Sequence, residues 1–164
     1  MTSAYRLQGK TLADVLNELY AHHGIIHNYN ESIKFDGADV ESRIESIMNG
    51  LRLSSPQNIG KSKVVYTTDY LAGIRVESGG NRVPTMFPAV DMLEFCLDNG
   101  CSIIIRPSGT EAKLKIYYSI LGLSEQEIED LLSQNPKQAG VTTTSCLRDY
   151  YHDFIRAMIL QPEK

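Results

Sequence analysis

The sequence has no surplus of positive charge: 16 Lys and Arg against 20 Asp and Glu leave a formal net charge of -4. That balance argues against a general nucleic-acid binder, because nothing is left over to neutralise a phosphate backbone. Apolar runs are short as well, and none approaches the ~20 residues of a membrane span. The start, Met1-Thr2-Ser3-Ala4-Tyr5-Arg6, has no apolar core like that of a signal peptide. Cysteine is scarce. Cys96, Cys101 and Cys146 contain no CxxC pair and cannot all pair with one another, so a disulfide framework is not expected and a reducing, cytoplasmic setting is. Also missing are GxGxxG or Walker spacing, a Ser/His/Asp set, paired carboxylates, internal repeats and low-complexity tracts.

What remains is an ordinary globular composition, 42% hydrophobic and 22% charged over 164 residues, enough for one well-buried core with an appendage. Thr11 caps a helix with Asp14 three positions later, and Gly24 closes it. Its stripe of Leu12, Val15, Leu16 and Leu19 needs a partner surface. His22, His23 and His27 follow without Cys, Asp or Glu at ligand spacing, so a metal site is not expected there. Ser32 to Phe35 is a short strand candidate, and a helix follows from about Asp39 to Met48, ended by Gly50. Ser54 to Gly60 reads as a loop and Lys63 to Thr68 as a strand rich in β-branched residues. Ser78-Gly79-Gly80-Asn81 is a candidate hairpin tip between Ile74–Val76 and Arg82–Val83, with Arg75 and Arg82 facing a ligand or, by default, water. Pro88 opens a predicted short helix through Val90, Leu93 and Leu97, closed by Asn99-Gly100. Ser124 to Glu127 is a capping box for another, which Asn135-Pro136 breaks. A last helix starts near Ser145, with Leu147, Tyr150, Tyr151, Phe154, Ile155 and Met158 inside and His152 on the surface.

The chain centres on one loop. Arg106-Pro107-Ser108-Gly109-Thr110-Glu111-Ala112-Lys113 joins the β-rich run from Cys101 to Ile105 to the run from Leu114 to Ile120, a β-hairpin. Arg106 offers a planar fork of donors, Ser108 and Thr110 offer hydroxyls, and Gly109 offers bare backbone amides. Lys113 and Lys115 project from one face of the second strand, because side chains alternate along a strand. Donors of these kinds converging on one loop suit a tetrahedral oxyanion, above all a phosphate. The alternative is a polar turn with a solvated Arg.

These residues, continued through Leu114-Lys115-Ile116-Tyr117, resemble the phosphate-binding loop in the fourth, C-terminal domain of the α-D-phosphohexomutases, the phosphoglucomutases and phosphomannomutases. Leu93 to Gly100 resembles the segment leading into that loop. Asp69-Tyr70 agrees with it, and Gly9-Lys10-Thr11-Leu12 with Leu16 to Tyr20 resembles the last helix of the family's third domain. The resemblance covers roughly Gly9 to Leu132. It implies an α+β fold, a small antiparallel or mixed four-stranded sheet with helices packed on one face (TBP-like). One helix and linker from the preceding domain, residues 1–28, come before the domain proper, 29–164, with a tail from about 135 in which Asn135 to Thr144 looks inserted before the final helix.

The function it implies is that of an isomerase domain, part of an intramolecular phosphotransferase of carbohydrate metabolism. Arg106, Ser108, Gly109 and Thr110 would grip the phosphate of a hexose 1-phosphate or 6-phosphate, with Lys113 and Lys115 as supporting positive field. The family's phosphoserine loop (Thr-Ala-Ser-His-Asn-Pro), its magnesium loop (Asp-x-Asp-x-Asp-Arg) and its sugar loop (Gly-Glu-x-Ser-Gly) do not occur here. Val76-Glu77-Ser78-Gly79-Gly80 resembles the last only superficially. The chain is therefore expected to be a C-terminal portion that binds no metal, whereas the complete family enzyme uses Mg2+. It is expected to lack turnover alone, with the missing first three domains as partners and neither nucleic acid nor membrane among them. A degenerate, non-catalytic interaction module is the alternative. Ala112 stands where the family commonly has Pro, which relaxes the loop exit without removing a phosphate donor.

Overall fold

The computed structural model describes residues 9–24, 26–122 and 143–160. In chain order the elements are α1 (Leu12–His23), β1 (Ile26–Lys34), α2 (Val40–Leu53), β2 (Asn58–Ile59), β3 (Ser62–Asp69), β4 (Ile74–Glu77), β5 (Arg82–Pro84), β6 (Leu93–Leu97), β7 (Ser102–Pro107), β8 (Lys113–Leu121) and α3 (Thr143–Ile159). The strands form one antiparallel sheet in the order β1-β8-β7-β6-β3-β4-β5, with β2 added to β3. The α+β class and the antiparallel sheet agree with the sequence. The sheet is wider than four strands, because a long first strand and the β4–β5 hairpin extend it on both sides.

Alternation decides which face is covered. Along β8, Leu114, Ile116, Tyr118 and Ile120 are buried while the residues between them are partly exposed. Across the ladder, Ile103 and Ile105 of β7 and Leu93, Phe95 and Leu97 of β6 lie on the same face. Against it pack Val40, Ile44, Met48 and Leu51 of α2 and Tyr151, Ile155 and Ile159 of α3. Each such aliphatic side chain contributes about 1.5–3 kcal/mol by leaving water. The other face of β6–β8 has no helix on it among the described residues, and it carries Glu94, Cys96, Ile104, Arg106, Lys115 and Tyr117.

Several expectations are corrected. The predicted helix after Pro88 is β6: Leu93, Phe95 and Leu97 follow a period of two, and pairing with Ile105 and Ile103 selects strand over helix. Asp98 to Gly100 then forms the β6–β7 turn, with Gly100 at φ 80, a left-handed conformation suited to glycine. The short strand at Ser32 is the end of a nine-residue strand that starts at Ile26, held by full pairing to β8 despite its Asn and His content. The expected domain join at residues 28–29 thus falls inside β1. Asn58–Ile59, read as loop, pairs with β3. The second helix runs through Gly50 to Leu53. The Thr11–Asp14 capping box, Gly24 as terminator and the hairpin tip near Gly80 are as expected. The helix predicted at Ser124 lies outside the described residues.

Candidate functional site

The loop closes itself. The Ser108 amide donates to the Lys113 carbonyl at 2.9 Å, and the Lys113 amide donates to the Glu111 carbonyl at 2.8 Å. The Phe35 amide donates to the Ala112 carbonyl at 3.2 Å, fastening the loop exit to the chain just after β1. Gly109 does not use a left-handed conformation, and a Cβ there would meet nothing within 4 Å. The turn itself therefore does not demand glycine; what glycine leaves is uncovered backbone.

Ser108, Gly109 and Thr110 line a depression of about 390 Å3 together with Glu41, Ile44 and Glu45 of α2 and Asp91. Arg106 does not line it. As its alternation with buried Ile105 requires, Arg106 lies on the open face, directly across the ladder from Lys115. Its Nε is buried without a hydrogen-bond partner. Lys113 makes an ion pair with Glu111, and that pairing holds the Glu111 carboxyl below its usual value. The four predicted donors thus share one strand end but look out from two sides of it.

Sequence reasoning missed a polar cluster beside the loop on the open face. The guanidinium of Arg75 lies 4.3 Å from the Tyr66 ring centroid, a cation–π contact where water was expected. The Tyr70 hydroxyl donates to Glu94 Oε2 at 2.9 Å. A hydrogen bond with Cys96 and burial push Tyr66 up to about 12, and burial with the Glu94 bond does the same for Tyr70. Burial also pushes the Cys96 thiol up, so it is not an activated nucleophile. The only sequence signal for this cluster was strand alternation at Tyr66, Arg75, Glu94 and Cys96. His152, expected on the surface, is partly exposed and meets Glu31 at 2.8 Å. Among the described residues no three His, Cys, Asp or Glu side chains gather to hold a metal ion. Nor is any described helix long and apolar enough to cross a membrane.

No family model matches the chain. A phosphoglucomutase of Staphylococcus aureus is 34% identical over 119 residues, which make up 72% of this chain and 21% of that protein. A probable phosphomannomutase of Haemophilus influenzae is 32% identical over 127 residues, 77% of this chain and 23% of its own. Among solved structures, the open form of the Paramecium phosphoglucomutase parafusin covers 88% of this chain and 25% of that one, at a TM-score of 0.42 and 13% identity. A di-domain ARO/CYC protein, BexL, gives 0.43, so these superpositions carry no argument. The chain is a homologue of the C-terminal domain of the α-D-phosphohexomutases, and it spans about a fifth of the length of the relatives it matches.

Proposed function

We propose that this chain is the phosphate-gripping domain of a phosphohexomutase, holding the phosphate of a hexose 1-phosphate or 6-phosphate through Arg106, Ser108, Gly109 and Thr110. One observation carries the reading. Within five residues, Arg106, Ser108 and Thr110 all have side-chain donors with no partner among the described residues, and for Arg106 the unpartnered Nε is buried. A buried donor left unmet costs about 1–3 kcal/mol, and an anion that meets it recovers that cost. Arg binds two oxygens of a phosphate at once, while hydroxyls and the bare backbone at Gly109 take the rest.

Such a grip orients a sugar by binding energy remote from the reacting oxygen. The chemistry then belongs to parts of a mutase whose serine and magnesium loops are not in this sequence, and this chain alone turns over no hexose phosphate. Calorimetric titration of glucose 6-phosphate tests the reading. Binding by the unaltered protein that is lost in Arg106→Ala is expected; equal binding by both overturns it. The second reading, a non-catalytic interaction module, draws on the exposed stripe of α1, where Leu12, Leu16 and Leu19 are 74%, 45% and 50% exposed. It gains only if the unaltered protein binds no phosphate ester.

A further inference from the structure

The proposed grip leaves open from which side of the loop the anion approaches and which form of phosphate it takes. The strand register answers both. Lys34 of β1 stands opposite Lys113 of β8, and Arg106 of β7 stands opposite Lys115 of β8. Lys113 and Lys115 alternate with buried Leu114 and Ile116, so all four cations belong to the open face at the loop end of the sheet. Like charges directly opposite on a ladder are destabilising, and two such pairs lie side by side. One carboxylate serves them: Glu111 pairs with Lys113 and also feels the fields of Lys34 and Lys115. Among the described residues Lys34, Lys115 and Arg106 have neither an ion pair nor a hydrogen bond from their side chains, and the buried Nε of Arg106 is unmet. The nearest acid along β6, Glu94, is engaged by Tyr70.

The helix side has the opposite character. Its depression is rimmed by Glu41, Glu45, Asp91 and Glu111; Asp91 is paired with Arg52 and Glu111 with Lys113, and Glu41 and Glu45 leave the rim with a negative surplus that disfavours an anion. Gly109 and Thr110 stand exposed and Ser108 is partly exposed, so neither face of the sheet encloses the stretch.

Resting on the reading of the loop as a phosphate grip, we propose that the phosphate lies over the open sheet face, that Lys34 and Lys115 hold it together with Arg106, and that the site selects the dianionic form of a phosphate ester. Lys34 is seventy residues and more from the loop in sequence and reaches it only through the β1–β8 pairing. Four cations against one carboxylate leave more positive charge than a monoanion satisfies, and a dianion answers more of it.

Titration of glucose 6-phosphate at about pH 7.5 and about pH 5, on either side of a phosphate ester's second pKa near 6, tests this. The unaltered protein should bind about tenfold more weakly at the lower pH, following the loss of dianion. Lys34→Ala should weaken binding several-fold at the higher pH and flatten the pH dependence, and Lys34→Arg should restore both. Glu41→Gln with Glu45→Gln should leave affinity unchanged. Lys34 is exposed, so its loss does not threaten the fold, and thermal melts check this. If Arg106→Ala abolishes binding while Lys34→Ala changes neither affinity nor pH dependence, the inference is wrong and the grip stands. Tightening in the Glu41→Gln, Glu45→Gln variant with Lys34→Ala neutral would put the anion on the helix side, also overturning it. No binding by the unaltered protein removes both.

Discussion

Glu31 on β1 receives His152 of α3 at 2.8 Å on one carboxylate oxygen, and its other oxygen accepts the hydroxyl hydrogen of Tyr118 on β8. One carboxylate therefore ties the last helix to two strands. The Tyr118 side chain is 2% exposed, so losing its acceptor strands a buried donor. Glu31→Ala should lower unfolding free energy by about 2–3 kcal/mol, read by denaturant unfolding. A change of less than about 0.5 kcal/mol, the range of ordinary surface substitutions, would show the contact to be incidental.

Tyrosines set an alkaline limit. Tyr66 and Tyr70 are pushed up to about 12, Tyr151 likewise by burial, and Tyr118 still further up by burial and its bond to Glu31. A group whose folded pKa is raised keeps its proton longer when folded. Its contribution is complete below the unfolded value of about 10 and is lost as pH rises through the folded one. Stability should hold to about pH 10 and fall between about 10 and 12, with part of the phenolate absorbance appearing only as the fold is lost. Ionisation of all nine tyrosines in one step near pH 10 with the fold intact would refute this.

Arg52 fastens α2 to β3 and to the segment before β6. Its Nε donates to Asp69 at 3.2 Å on β3, and its terminal nitrogen pairs with Asp91 just before β6. Its side chain is only 16% exposed, so removing it leaves two carboxylates without their cation. Arg52→Ala should cost about 1–3 kcal/mol, while Arg52→Lys, which lacks the planar fork, should recover only part. Full recovery by lysine would mean that charge alone is at work.

Elements whose own residues set their shape were legible in the sequence. The Thr11–Asp14 box, the β-branched β3 and the hairpin around the loop announce themselves locally. β1 did not, because His27, Asn28 and Asn30 have little strand preference and are held by β8, some ninety residues on. β6 was misread because Pro88, Val90, Leu93 and Leu97 mimic helical spacing, and only the Ile103 and Ile105 partners decide the matter. At the site, the loop donors were visible as residue types in a row. That Arg106 and the Ser108–Thr110 stretch look out from different sides of it, and that Lys34 joins the lysines of β8, depends on register.

The two hydroxyls should act on binding alone. Neither Ser108 nor Thr110 has a side-chain partner among the described residues, so Ser108→Ala and Thr110→Ala should leave the melting temperature unchanged. Each should weaken glucose 6-phosphate binding by about tenfold or more, the worth of one hydrogen bond to a charged group. Unaltered affinity in both would leave Arg106 as a lone anchor and remove the hydroxyls from the site.

The central claim is that the Arg106–Lys113 loop is where phosphate binds. Amide chemical shifts of the isotope-labelled protein, followed during titration with glucose 6-phosphate, test it most directly. The account predicts saturable shifts concentrated at Arg106, Ser108, Gly109, Thr110 and Lys115, together with Lys34 on the paired strand. Shifts centred instead on the Arg75–Arg82 hairpin, or no saturable shifts at all, would contradict it.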